Sequence, residues 1–440
     1  LVQRALSSIG TTRRYQPHPG LTCGHIDSVV GHSAFVIDDE WSKFMNGRRT
    51  PGRRLRARWI VVGAAAAVVT AMVLPLPAAA QPAADASTAT DGPGAVSHQD
   101  QSRKDCVGTA RNTTSKIWYT IANGVLSDVY APTVDATNVE TMQYLVTDGS
   151  TFTDLQSRDT TYTATSDPTG MICTITSTAK SKAYKLVSTY LTDPVRDSVV
   201  VHTQYVALTA AARKYQLLVR LDANAGGNGG GGTANGGADS AVVDTTSGSP
   251  VPVSFDTNTH SQANRAYAVP SYLALKADQP FTTVSSGFVG QASDGLTQLD
   301  ATHTLSPVTS TATGGNVEQT AAITRGRDGS TTLALGFGTT QRAAVATAGA
   351  TVSTSLPKLV ASYEKGWINY DAGLRFPFLT TPSLTWSQRL SAIEKYYQSA
   401  NVVKASEDKT FPGAIIAGLD APWGQSIAAN NPDNLFSTGY

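Results

Sequence analysis

Between residues 105 and 350 the chain is a succession of short β-type runs cut apart by turn residues, and this pattern leaves little choice of fold. Residues 116–121, 139–146, 184–191, 198–206, 215–221, 272–276, 282–289, 317–323 and 331–337 concentrate or alternate Val, Ile, Leu, Thr and Tyr. Such side chains suit a pleated surface buried on one face or both. Asn123-Gly124 and Asp148-Gly149 are hairpin-turn pairs, because tight hairpin turns need residues that tolerate positive φ. So many strands with so few helical stretches predict a mainly β chain, a large antiparallel sandwich of roughly 250 residues.

After residue 351 the period changes. Leu356, Leu359, Val360, Tyr363, Trp367, Tyr370 and Leu374 recur at helical spacing. Pro377 and Pro382 mark a break, and Thr385 with Gln388 reads as the capping box of a second helix. Leu390, Ile393, Tyr397 and Ala400 lie on one stripe, read as a packing face. The glycine-rich stretch 226–237 lacks the Lys-Ser/Thr ending and strand-to-helix setting of a phosphate cradle, and reads as a mobile surface loop.

The beginning of the chain reads as processing signal. Arg48, Arg49, Arg53, Arg54, Arg56 and Arg58 precede an apolar run, 59–76, then Pro77 and three alanines. That order makes 45–80 a secretory signal peptide, with an uncleaved membrane anchor as the alternative. Residues 1–44 before it read as a spurious upstream extension or a disordered leader, and 81–104 as a flexible linker. The formal net charge of +1 includes ten basic and four acidic residues in 1–80. Without them 24 basic and 29 acidic residues remain. An acidic surface rich in Thr, Ser and Gly does not suit nucleic acid. The expectation is a secreted monomer with no membrane association after signal cleavage. Cys106 and Cys173 would then meet an oxidising compartment and form a disulfide, the alternative being two buried thiols.

The order of several segments carries a resemblance. Residues 115–120, 123–135, 145–152, 190–194, 331–338 and 366–370 contribute, and above all 407–417 with Pro422, Trp423 and Gly424. Together they resemble the N-terminal part of bacterial glucoamylases and glucodextranases of glycoside hydrolase family fifteen. The resemblance implies a galactose-mutarotase-like super-β-sandwich over 105–350, linker helices over 351–382, and the first part of an (α/α)6 barrel over 383–440. It implies an exo-acting hydrolase releasing glucose from α-glucan (starch, maltooligosaccharide or dextran) by inversion, which needs two carboxylates on opposite faces of the sugar ring. In the family a Gly-Tyr pair is followed by a Trp-x-Arg-Asp segment that grips the terminal glucose, and the two catalytic carboxylates lie further on. The chain stops at Tyr440. The expectation is therefore a truncated form, inactive alone, whose catalytic residues lie beyond Tyr440. Tyr440, matching the family's sugar-contacting tyrosine, and Trp423 are the implied substrate contacts.

The acids present have plainer readings. Glu407 and Asp408 are adjacent, so they point in different directions and read as a solvated helix end. Asp128, Asp135 and Asp148 read as turn formers. No Asp-x-Asp-x-Asp-Gly loop is present, no metal site is expected, and calcium as a structural ion is the only cofactor left open. Trp118 reads as a buried strand aromatic rather than a groove-lining one. Two rivals to the hydrolase reading stand. One is a non-catalytic carbohydrate-binding or structural sandwich. The other is mutarotase or lyase chemistry within the sandwich, which needs a histidine and an acid together in a cleft, and His202 and His260 have no evident acid partner.

Overall fold

The computed structural model describes residues 87–95, 104–227, 239–259, 266–377, 383–416 and 418–419, all within the unit Ala78–Tyr440. The leader 1–44, the signal segment 45–80, most of the glycine-rich loop, His260, Trp423 and Tyr440 lie outside the described residues.

Seventeen strands, numbered in chain order, form two antiparallel sheets among these residues. The first holds β1 (Cys106–Thr109), β2 (Trp118–Ala122), β3 (Val125–Tyr130), β4 (Thr137–Thr147), β5 (Thr153–Leu155), β10 (Gln216–Gly227), β14 (Thr283–Phe288) and β16 (Val317–Ala322). Their order is β1-β2-β3-β4-β10-β16-β14, with β5 on β4. The second holds β6 (Thr160–Ser166), β7 (Cys173–Ala179), β8 (Tyr184–Thr192), β9 (Ser198–Ala207), β11 (Asp239–Asp244), β12 (Val251–Asp256), β13 (Ser271–Ala277), β15 (Thr311–Gly315) and β17 (Ser330–Gly338). Here the order is β15-β11-β12-β13-β17-β9-β8-β7-β6. The mainly β sandwich expected from the strand pattern is the fold observed.

The two sheets bury a common core. Along β7 and β8 alternate residues turn inward, among them Cys173, Ile175, Tyr184, Leu186 and Tyr190. That is the period-2 signature of a sheet with one wet face. By contrast β10 is buried on both faces. Leu217, Val219 and Leu221 face the sandwich core, while Leu218 packs with Leu145 and Leu299 beneath helix α1 (Gly295–Thr302). The β2–β3 hairpin turns on Asn123 and Gly124, at φ 52° and 74°, as the sequence pair predicts. Cys106 of β1 and Cys173 of β7 are disulfide-bonded and tie one sheet to the other.

Helix α2 (Gln341–Val352) covers the outer face of β17. Its approach requires glycine, because a Cβ on Gly336 would lie 2.5 Å from the Ala348 backbone nitrogen. This helix starts inside the span assigned to the sandwich; its Ala-rich sequence carries too weak an apolar stripe to announce it. Helix α3 (Leu356–Gly373) follows the predicted period and buries Leu359, Tyr363 and Trp367. Helix α4 (Trp386–Ala405) opens on the Thr385–Gln388 capping box.

Several expectations need correction. The α4 stripe is not a packed face among the described residues: Leu390 is 49% exposed, and Ile393, Tyr397 and Ala400 are half-buried. The helix buries only Asn401 and Ala405, in its last turns. Part of the flexible linker is docked. Ala89 N donates to Thr311 O, Ser293 N and Oγ donate to the Asp91 carboxylate, and Pro93 O accepts from Asn316 N. Gly226 and Gly227 belong to β10 rather than to a surface loop. Asp128 is no turn former. A bulge in β3 holds it buried at φ 35°, where it pairs with Lys104.

Candidate functional site

The described part of the segment the sequence singled out most strongly, 407–416, is anchored on the sandwich through Asp408 and Lys409. Trp118 on β2 is fully buried, and its indole Nε1 donates to Ala405 O at 2.8 Å, at the end of α4. Beside it the α3 residue Trp367 donates from Nε1 to Thr109 O at 2.9 Å, and Tyr363 donates from its hydroxyl to Met171 O at 2.9 Å. Asn401 Nδ2 donates to Thr169 O at 2.9 Å. Each bond sets an aromatic or amide donor from one side against a backbone carbonyl from the other. Their rings and the aliphatic residues Leu191, Val200, Leu359 and Leu419 form one apolar cluster.

Asp408 corrects the solvated reading. It is 5% exposed and accepts from the backbone N–H groups of Val134, Thr410 and Phe411 at 2.7–2.8 Å. The Val134 bond ties the segment to the loop between β3 and β4, and the other two fold the segment back on its own carboxylate. Glu407, its neighbour, accepts from Lys404 and from Gly413 N, and these bonds hold its carboxyl below the usual range. Neither acid faces a cleft with a free oxygen pair, so neither is placed as a general acid or base.

Lys409 enters the sandwich itself. Its ammonium is buried above the Trp118 ring, 5.0 Å from the centroid, and donates to Thr109 Oγ1, Ala110 O and Ser115 O. Three donors meet three acceptors. Burial pulls its pKa down to about 7, with the Asp197 charge opposing the shift. Nothing in its sequence neighbourhood announces this, because all three acceptors lie some 300 residues earlier.

The other candidates disperse. His202 on β9 hydrogen-bonds Thr332 Oγ1 through Nδ1 at 3.0 Å, and burial lowers its pKa. It makes no pair with an acid of the kind mutarotase chemistry would need. Among the described residues no group of three or more His, Cys, Asp and Glu side chains could hold a metal. A cleft of about 740 Å³ opens where β9 ends, lined by Tyr205, Arg213, Lys214, Tyr215, Arg325 and Arg327. Its guanidinium at Arg325 lies 4.1 Å over the Tyr205 ring. The junction with Lys409 lies at the start of β9, next to Asp197.

The family model for glucodextranase, domain N, matches residues 89–372, the two sheets together with α1, α2 and nearly all of α3. The chain belongs to the glucodextranase N-domain family. A glucoamylase from Clostridium sp. (strain G0005) is 28% identical to it over 355 residues, covering 78% of this chain and 45% of that protein. The crystal structure of a bacterial glucoamylase complexed with acarbose superposes with a TM-score of 0.67 at 26% identity, covering 80% of this chain and 47% of that one. This glucodextranase N-domain chain thus spans about half the length of the relatives it matches. Both matches are longer than the stretch 89–372 that the family model covers.

Proposed function

We propose that the chain is the sandwich-bearing part of a secreted, exo-acting α-glucan hydrolase of the glucoamylase or glucodextranase type. The enzyme releases glucose from non-reducing ends with inversion. One observation carries this reading: the 28% identity to a glucoamylase runs over 355 residues, longer than the N domain, and the segment beyond that domain is clamped to it through Trp118, Asp408 and Lys409. A sandwich that fixes the start of the next region by buried polar bonds is suited to hold a catalytic domain in register.

In this reading the sandwich supports catalysis without supplying it. Glu407 and Asp408 are committed to protein groups, and inversion needs two carboxylates about 6.5–9.5 Å apart with room for water. The catalytic acids are then contributed from outside the described residues, with Trp423 and Tyr440 as sugar contacts. The signal-like order of 45–80 supports export, and the protein acts as a monomer. The product of the complete gene should release glucose from starch, maltooligosaccharide or dextran, and the 440-residue chain should not. No glucose from the complete product on any of the three sinks the proposal.

A second reading, glycan binding without catalysis, draws on the cleft at Tyr205, Tyr215 and Arg325. It predicts retention of the chain on insoluble starch, lost on Arg325→Ala. Free passage of the intact chain through starch removes it.

A further inference from the structure

Near its end β10 leaves the ladder with β4. Ala223 pairs with Val139 and Gly227 with Thr137, so residues 224–226 bulge opposite Asn138. The bulge backbone is anchored by side chains. Asn138 Oδ1 accepts from Gly226 N at 3.0 Å, while its Nδ2 donates to Ala131 O and Ala136 O. Asp239 Oδ2, from β11 of the other sheet, accepts from Ala225 N at 2.8 Å.

Four side-chain atoms at this bulge have no hydrogen-bond partner: Asn224 Oδ1 and Nδ2, Thr137 Oγ1 and Asp239 Oδ1. All three residues are 0% exposed. They converge. A methyl group on Gly227 would lie 3.1 Å from Thr137 Oγ1 and 3.2 Å from both Asn224 Oδ1 and Asn224 O. Three oxygens thus lie round one point beside Gly227.

Electrostatics gives the sign of what fits. Asp239 is flanked by the charges of Asp222 and Asp256. Arg220 is taken up by Asp222 and Asp294, and among the described residues no cation pairs with Asp239. A buried carboxylate without a cation is strongly disfavoured, and buried polar atoms are nearly always partnered. Oxygen donors of mixed type around a net negative site suit a hard cation, and irregular placement suits calcium better than magnesium, which demands near-octahedral geometry.

We propose that the β10 bulge binds calcium through Asp239 Oδ1, Asn224 Oδ1, Thr137 Oγ1 and the Asn224 carbonyl. The ion joins β4 and β10 of one sheet to β11 of the other. With a single carboxylate among donors on three separate strands, the site has no acidic loop to mark it in the sequence.

The test is thermal unfolding of the 440-residue chain, stripped with EDTA and desalted, in calcium chloride against sodium chloride of equal ionic strength. Calcium should raise the Tm by about 2–4 °C or more. Asp239→Asn and Thr137→Val, both near-isosteric, should each remove most of that rise and weaken calcium binding in equilibrium dialysis at least about tenfold. If Asp239→Asn does not fold, Thr137→Val decides. Equal Tm in the two salts overturns the proposal, because water or a proton shared between Asp239 and Asn224 then satisfies the site. A calcium-induced rise that survives the substitutions also overturns it, by placing the ion elsewhere.

Discussion

The indole Nε1 of Trp118 lies 2.8 Å from the carbonyl oxygen of Ala405, 287 positions further along the chain. A strand in the first hairpin of the sandwich therefore ends the last described helix. The residues that follow continue the same contact, since Lys409 sits over the same indole ring. This one aromatic side chain couples the β-sandwich to the segment behind it.

Removing the donors should loosen the junction before it unfolds the sandwich. Trp118→Phe leaves the Ala405 carbonyl without its partner and should cost about 1–2 kcal/mol. Lys409→Met leaves the carbonyls of Ala110 and Ser115 without their donor, while Thr109 Oγ1 keeps its bond to Ile117 O, and should cost about 3 kcal/mol. Hydrogen exchange provides the local reading. Amides of residues 401–416 should exchange faster in both variants, while those of β8 and β9 stay protected.

Lys409 also gives the junction a pH signature. Its pKa in the fold is about 7 against an ordinary 10.5. Between those values the unfolded chain holds a proton that the folded chain has released, so folding expels a proton. This contribution to stability is therefore least below pH 7 and grows as pH rises through the window. From pH 7 to 9 the wild type should gain on Lys409→Met by up to about 1.4 kcal/mol per pH unit. Urea unfolding of the two proteins across that range checks the slope, and parallel curves would contradict it.

The link between Cys106 and Cys173 closes a loop of 67 residues across the sheets. Loop-closure entropy for that length corresponds to about 4 kcal/mol. Replacing both cysteines with serine should lower stability by that order, read as a lower urea midpoint with a steeper slope, because the unlinked denatured chain is more expanded.

Gly336 should tolerate no side chain, since the atoms a Cβ would meet, Ala348 N and Ala344 O at 2.5 and 2.8 Å, are backbone atoms of α2. Gly336→Ala should cost about 1–3 kcal/mol. Gly373→Ala, where a Cβ meets nothing within 4 Å, is the matched control and should be neutral or mildly stabilising.

The sheets were legible because strands declare themselves locally. The Asn123-Gly124 turn and the alternation in 184–191 are set by neighbours in the chain. Helix α2 was not legible, because its fit depends on Gly336 and Gly338 in β17 rather than on an apolar stripe of its own. Asp408 was singled out by resemblance yet misjudged in environment, and the burial of Lys409 had no sign in the sequence. Their partners, Val134, Thr109, Ala110 and Ser115, are distant in sequence, and no local pattern tells a buried acid or amine from a solvated one. The carboxyl of Asp239 escaped for the same reason: its surroundings come from β4 and β10.

The sandwich is proposed to serve a glucan hydrolase that inverts. The most direct measurement is proton NMR of maltooligosaccharide hydrolysis by the protein purified from its natural source. Inversion predicts β-glucose as the first product. The α-anomer first, or no glucose at all, would contradict it.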